Sequence, residues 1–163
     1  MIVIADTSPI NYLVLIGEQD LLAALFGRVI IPQAVFGELE AAATPSLVRQ
    51  WLVNRPQWIE LRTTTSAPDP ALSHLDEGER EAIQLVEELK ADLLLVDERA
   101  ARREAAKRNL ATSGTLGVLD RAAEKGLVDF SLALQKLKQT SFHISSSVER
   151  FFRDRDARRK SGG

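Results

Sequence analysis

Apolar residues along this chain come in two textures. Ile2-Val3-Ile4-Ala5, Val29-Ile30-Ile31 and Leu93-Leu94-Leu95-Val96 are apolar at every position. Such runs read as strands covered on both faces, since a strand with one wet face would alternate. Trp58-Ile59-Glu60-Leu61 predicts a fourth strand, and Leu110-Ala111-Thr112 a weaker fifth. The segments between them have helical spacing. Ser8 followed by Pro9 predicts an N-cap with proline at the first helical position. Pro32 predicts a second helix start, carrying Val35, Glu38 and Leu39. From Glu79 to Leu89, the residues Ile83, Val86 and Leu89 form one apolar stripe. A helix rich in Ala, Arg and Glu is expected from Glu98 to Arg108, and another from Leu116 to Lys125, closed by Gly126. Thr63 to Pro70 reads as an exposed loop. Fully apolar strands alternating with helices predict an α/β fold, with a central parallel sheet of four or five strands in a three-layer α/β/α arrangement. No repeat or long linker interrupts the pattern, so residues 1–150 are expected to be one domain and 151–163 a basic polar tail.

Composition narrows the function classes. The 163 residues are 45% apolar and 27% charged, as in a folded domain. With no cysteine, disulfide scaffolds, thiolate zinc sites and thiol catalysis are excluded together. His74 and His143 lie far apart and form no zinc motif. The N-terminus, cut by Asp6, Pro9 and Asn11, does not read as a signal or a membrane span, which needs about 18 apolar residues or more. A cytoplasmic protein is the expectation. The net charge of −2 conceals a division. Residues 1–98 hold 6 Lys/Arg against 16 Asp/Glu, whereas residues 99–163 hold 15 against 7. Such asymmetry calls for a physical reason.

In an open α/β sheet, ligands bind beyond the carboxyl ends of the strands. Asp6 directly follows the first apolar run and Asp97 the last, so parallel neighbours would bring both carboxylates to one edge. Either could instead be an ordinary turn residue. Glu38 lies one turn into its helix, where it could face solvent or join the two aspartates. Glu79 could do the same, although Asp76-Glu77-Gly78-Glu79 also reads as a capping box, which accounts for both Asp76 and Glu79. Carboxylates that converge repel one another and raise each other's pKa. A hard divalent cation relieves that cost, and all-oxygen donors suit Mg²⁺ or Mn²⁺. Such a centre can activate water and stabilise charge on a phosphodiester.

The ordered set Asp6-Thr7-Ser8, Glu38, Glu79 and Asp97 resembles the PIN-domain nucleases, and in particular the toxin-type PIN proteins of prokaryotic toxin–antitoxin pairs. The stretches that carry the resemblance are VIADTSPINYL at 3–13, VIIPQAVFGELE at 29–40 and LDEGEREAIQLVEELKADLLLVDERAAR at 75–102. GTLGVLDRAAEKG at 114–126 is similar to a branch of predicted nucleic-acid-binding proteins within that superfamily. The resemblance covers roughly residues 1–130. It implies a metal-dependent ribonuclease with Asp6, Glu38, Glu79 and Asp97 as catalytic and metal-holding acids, and Mg²⁺ or Mn²⁺ as cofactor. Ser8, ahead of Thr7, would supply a hydroxyl to the water network around the ion. It also implies a single-stranded or structured RNA substrate, a small antitoxin partner and pairing as homodimers, with no membrane. Two positions depart from the pattern. Glu98 stands where the related branch often has a second Asp, and Glu79 where many toxin-type members have Asp.

Arg99, Arg102, Arg103 and Lys107 fall on one helical face just after Asp97, with Arg108 beside them, and such a stripe can lead a nucleic acid to the chemistry. A solvated helix face is the plain alternative. The tail from Arg150 to Lys160 has six basic residues and two acids, and from Arg158 onwards it reads as disordered polar sequence. Gly114-Thr115-Leu116-Gly117 lacks the Lys-Ser/Thr of a phosphate loop and reads as a tight turn into a helix. A catalytically weak RNA-binding module of the same fold is the main rival reading. A phosphatase using Asp-x-Asp fails at Asp6-Thr7-Ser8, and a receiver-like phosphoacceptor remains a further alternative.

Overall fold

The computed structural model describes residues 1–162. These divide into two compact units, the first Met1–Thr115 and the second beginning at Leu116. All five strands lie in the first: β1 (Val3–Ala5), β2 (Val29–Pro32), β3 (Ile59–Arg62), β4 (Leu93–Leu95) and β5 (Thr112–Ser113). They form one parallel sheet in the order β3-β2-β1-β4-β5. The helices between them are α1 (Thr7–Leu15), α2 (Asp20–Phe26), α3 (Gln33–Glu40), α4 (Ser46–Val53), α5 (Glu77–Leu89) and α6 (Arg99–Lys107).

The three layers follow from the strand residues. Ile4 pairs in register with Ile30 on one side and Leu94 on the other. All three side chains therefore point to one face. There they pack in one buried cluster with Ala82, Ile83 and Val86 of α5 and Ala101 and Ala105 of α6. The alternate residues Val3, Ala5, Val29, Ile31, Leu93 and Leu95 are buried as well, so the opposite face is also covered, as a parallel sheet requires. The fifth strand is shorter and two residues later than the apolar pattern predicts. Leu110 and Ala111 precede it, and only Thr112 and Ser113 pair with β4.

The chain leaves β1 toward β2 and β3 on one side, then returns to place β4 and β5 on the other. The order therefore reverses between β1 and β4, which is where open α/β sheets form their ligand crevice. The backbone N–H of Asp6 donates to Leu95 O at 2.9 Å, carrying the pairing to the end of both strands. Asp6 and Asp97 thus leave the sheet at the same edge.

The second unit contains the rest of α7 (Thr115–Glu124), then α8 (Phe130–Lys138) and α9 (Ser146–Gly162). The residues expected to form a tail, from 151 to 162, lie in α9. This helix is polar on most of its surface, and ion pairs hold it. Glu149 pairs with Arg153 at 2.7 Å and Asp156 with Lys160 at 3.0 Å, both four residues apart. Buried Asp120 receives Arg155 at 3.0 Å and Arg159 at 3.1 Å. Phe152 stacks on buried Phe130 with ring centres 6.2 Å apart. These contacts account for order beyond Arg158, where composition alone suggests disorder. Among the described residues, no helix is long and apolar enough to cross a membrane.

Candidate active site

Asp6 is the N-cap of α1, which begins at Thr7. The predicted start at Ser8-Pro9 falls inside the first turn instead, where proline costs no hydrogen bond because that turn's N–H groups have no partner within the helix. Asp6 is only 5% exposed, and its Oδ1 has no hydrogen-bond partner among the described residues. Burial pushes its carboxyl from an ordinary 3.8 up to about 8. The Thr7 backbone works against that shift, and the charges of Asp76, Glu79 and Glu38 add to it.

Glu38 turns inward from α3. Its Oε2 accepts the Thr7 hydroxyl, and its Oε1 accepts the Gly78 backbone N–H at 3.2 Å. There is no room at Gly78 for a side chain, since a Cβ there would lie 2.6 Å from Glu38 Oε1. Neighbouring Ala34, at the start of α3, donates its N–H to Glu81 of α5 at 2.8 Å. The Gly78–Glu38 and Ala34–Glu81 bonds tie both ends of α3 to the N-terminal part of α5.

Glu79 forms the capping box that its spacing suggests. Its N–H donates to Asp76 Oδ1 at 2.8 Å, and its Oε2 accepts the Asp76 N–H at 3.2 Å. Cap and site are nonetheless compatible. Glu79 is buried, and burial first, then the charge of Asp76, pushes it from 4.5 to about 7, with Glu98 adding to the shift. Glu79 is thus electrostatically part of the same cluster as Asp6. Asp97 is tied elsewhere: its Oδ1 accepts the Thr115 N–H and its Oδ2 the Thr115 hydroxyl, both at 2.7 Å.

Thr7 holds an acid of the cluster, whereas Ser8 is half-buried and its hydroxyl makes no hydrogen bond among the described residues. Asp76 acts on both Asp6 and Glu79, and Glu98 acts on Glu79. The sequence offers Asp76 as a competitor of Glu79 for the third acidic position as well as an N-cap, whereas it marks Glu98 only as a departure from the family pattern. The close spacing of Asp76, Glu77 and Glu79 ahead of an apolar helix marks an acidic helix start, but nothing local ties it to Asp6.

The basic stripe divides into spoken-for and free cations. Arg108 bonds Glu87 at 2.7 Å, Asp69 at 3.0 Å and Glu104 at 3.3 Å. Lys107 pairs with Glu104 at 3.6 Å. Arg99, Arg102 and Arg103 are exposed and hold no ion pair among the described residues. Arg102 also reaches toward the site. Its Nη1 lies 3.7 Å from the point a Gly114 Cβ would occupy, and Asp97 Oδ1 lies 2.6 Å from that same point.

All the donors are carboxylate oxygens, which suits a hard divalent cation. The unpartnered Asp6 Oδ1 is the clearest place for one, because a buried carboxylate oxygen without a donor is costly. Among the described residues, no three acids converge closely enough to enclose an ion by themselves, so waters would have to complete any shell.

The chain belongs to a family of PIN domains: the model of the family DUF3368, described as a PIN domain, matches residues 2–155. PIN domains are in general nucleases. The chain's fold is also similar to that of a PilT N-terminus domain protein, SSO1118, from the hyperthermophilic archaeon Sulfolobus solfataricus P2. That likeness has a TM-score of 0.51 at 14% identity and covers 89% of this chain and all of the other. At such identity it speaks for the fold alone. No curated protein matches the chain.

Proposed function

We propose that this chain is a metal-dependent endoribonuclease, with Asp6, Glu38, Glu79 and Asp97 holding Mg²⁺ or Mn²⁺. The observation that carries this reading is the buried, unpartnered Oδ1 of Asp6, set among Asp76, Glu79 and Glu38, with the carboxyl raised to about 8. Such a group is expensive unless a proton or a cation sits on it. When bound, the cation would supply positive charge to the phosphodiester and lower the pKa of attacking water.

The chain's own residues supply the rest. Thr7 and Gly78 fix the Glu38 carboxylate. Asp6 and Glu79, raised by burial to about 8 and about 7, would hold protons near neutral pH until a cation displaces them. The free guanidinium of Arg102, with Arg99 and Arg103 along the same helix, would draw an RNA backbone toward the acids, and Lys107 would join through its exposed ammonium.

The toxin role, a small antitoxin covering the site, pairing as homodimers and a cytoplasmic location rest on the resemblance of 3–13, 29–40 and 75–102 to toxin-type PIN proteins. Growth arrest on unopposed expression, relieved by a small co-encoded protein, is the result that role requires. Unimpaired growth would remove the toxin role and leave the nuclease chemistry standing. A catalytically weak RNA-binding module is favoured by one observation: among the described residues, no three acids converge closely enough to enclose an ion by themselves. Incubating single-stranded RNA with the protein and Mn²⁺ separates the two readings. Cleavage that stops with EDTA and is lost in Asp6→Asn and Asp97→Asn supports the nuclease. Binding without cleavage supports the module.

A further inference from the structure

The segment Gly114-Thr115 follows β5 and has no evident role as a phosphate loop. We propose that it is a socket that positions Asp97, so that Thr115 and Gly114 are positioning residues for cation binding. This inference rests on the nuclease reading above.

Three observations define the socket. The Thr115 backbone N–H takes Asp97 Oδ1 and the Thr115 hydroxyl takes Oδ2, both at 2.7 Å. Gripping both oxygens fixes not only where the carboxylate lies but also the plane in which it lies. Thr115 is fully buried, so its hydroxyl has no water to turn to. Gly114 leaves the space that the carboxylate fills, because a Cβ there would stand 2.6 Å from Oδ1. Its glycine is thus required by close approach of an acid, whereas the sequence suggests only a turn.

Each carboxylate oxygen has a second lone pair beyond the one the socket uses. Those remaining lone pairs are directed by the plane that Thr115 sets. Glu38 is held on the same plan, by the Thr7 hydroxyl, a backbone N–H at Gly78 and a glycine that leaves no room for a side chain. Two acids on different elements are thus oriented by the same combination of threonine hydroxyl, amide and glycine. Groups that orient a ligand in this way typically change metal affinity about 10–100-fold when removed.

Calorimetric Mn²⁺ titration of the full chain tests the proposal, with circular dichroism confirming the fold of each variant. Thr115→Val keeps the shape and removes the hydroxyl, Thr115→Ser restores it, and Gly114→Ala intrudes on Oδ1. Mn²⁺ affinity is expected to fall about 10-fold or more in Thr115→Val and Gly114→Ala and to return in Thr115→Ser. A lower melting temperature with unchanged Mn²⁺ affinity in those two variants would make the socket merely structural and overturn the proposal. If Thr115→Val does not fold, Gly114→Ala against wild type decides by the same criterion. Wild type that binds no Mn²⁺ would overturn the nuclease reading and the socket's role together, an outcome distinct from the first.

Discussion

The Thr7 hydroxyl donates to Oε2 of Glu38, 31 residues further along the chain. This bond joins the first turn of α1 to the last turn of α3 at the carboxyl edge of the sheet. It assigns to Thr7 a role that its neighbour Ser8 lacks. Thr7→Val should therefore lower Mn²⁺ affinity and RNA cleavage by about 10-fold, and Thr7→Ser should recover most of the loss. Ser8→Ala should cost less than Thr7→Val. Side-by-side cleavage rates of the three variants check this order.

Gly78 provides a sharper steric test. A methyl group there would meet Glu38 Oε1 at 2.6 Å and its Cδ at 3.0 Å, so Gly78→Ala must displace the carboxylate. The atoms met are the end of a flexible, half-buried side chain, so stability should change by about 1 kcal/mol or less, while Mn²⁺ affinity and activity should fall. Gly37, one residue from Glu38, has nothing within 4 Å of its added Cβ. Gly37→Ala should instead stabilise α3 by up to about 1 kcal/mol. Urea denaturation and Mn²⁺ titration of both variants read the contrast.

Raised carboxyl groups make stability fall as pH rises. Asp6 titrates near 8 and Glu79 near 7 in the folded protein, above the ordinary values of 3.8 and 4.5 expected when unfolded. The folded state therefore holds protons that the unfolded chain has lost. The associated stability is full below pH 4 and is lost as pH rises through about 7 and 8. Carboxyls held low by cations, such as Glu149 beside Arg153 and Lys138, act below that window. In EDTA, the melting temperature should fall between pH 5 and 8, and Asp6→Asn should flatten the slope. A flat wild-type profile over that range would contradict the burial argument.

Arg108 and Arg102 should separate stability from RNA binding. Arg108 is bonded to three acids, and its loss should cost on the order of 1–3 kcal/mol without changing how RNA affinity depends on salt. Arg102 holds no acid among the described residues. Arg102→Ala should leave the melting temperature alone and reduce the salt slope of RNA binding by about 1. Filter binding across a salt series, beside thermal melts, measures both.

Much of the fold was legible because parallel strands must be apolar on both faces. Ile2–Ala5, Val29–Ile31 and Leu93–Val96 announce β1, β2 and β4 without ambiguity. The fifth strand, Thr112–Ser113, starts two residues later than the apolar pattern suggests because its position comes from pairing with Leu94 and Leu95, not from its own polarity. In α9, order beyond Arg158 depends on Asp120 and Phe130, which lie well back in the sequence. At the site, the strand-end aspartates and the Asp76–Glu79 box could be read from local spacing. The bonds of Thr7 to Glu38 and Thr115 to Asp97 join residues 31 and 18 positions apart, and no local pattern encodes them.

The opposed charges of the two halves take on a narrower meaning. Arg108, Arg153, Arg155, Arg159 and Lys160 are engaged by acids of the same unit, which removes much of the positive excess from any role in RNA binding. What remains beside the acids is chiefly Arg99, Arg102 and Arg103.

A calorimetric Mn²⁺ titration near pH 7, repeated in buffers of different ionisation enthalpy, tests the central claim most directly. If Asp6 and Glu79, raised to about 8 and about 7, exchange their protons for a cation, wild type should bind Mn²⁺ with release of roughly one to one and a half protons per ion, and Asp6→Asn should lose the binding and with it the release. Absence of Mn²⁺ binding by wild type, or equal binding by Asp6→Asn, would contradict it.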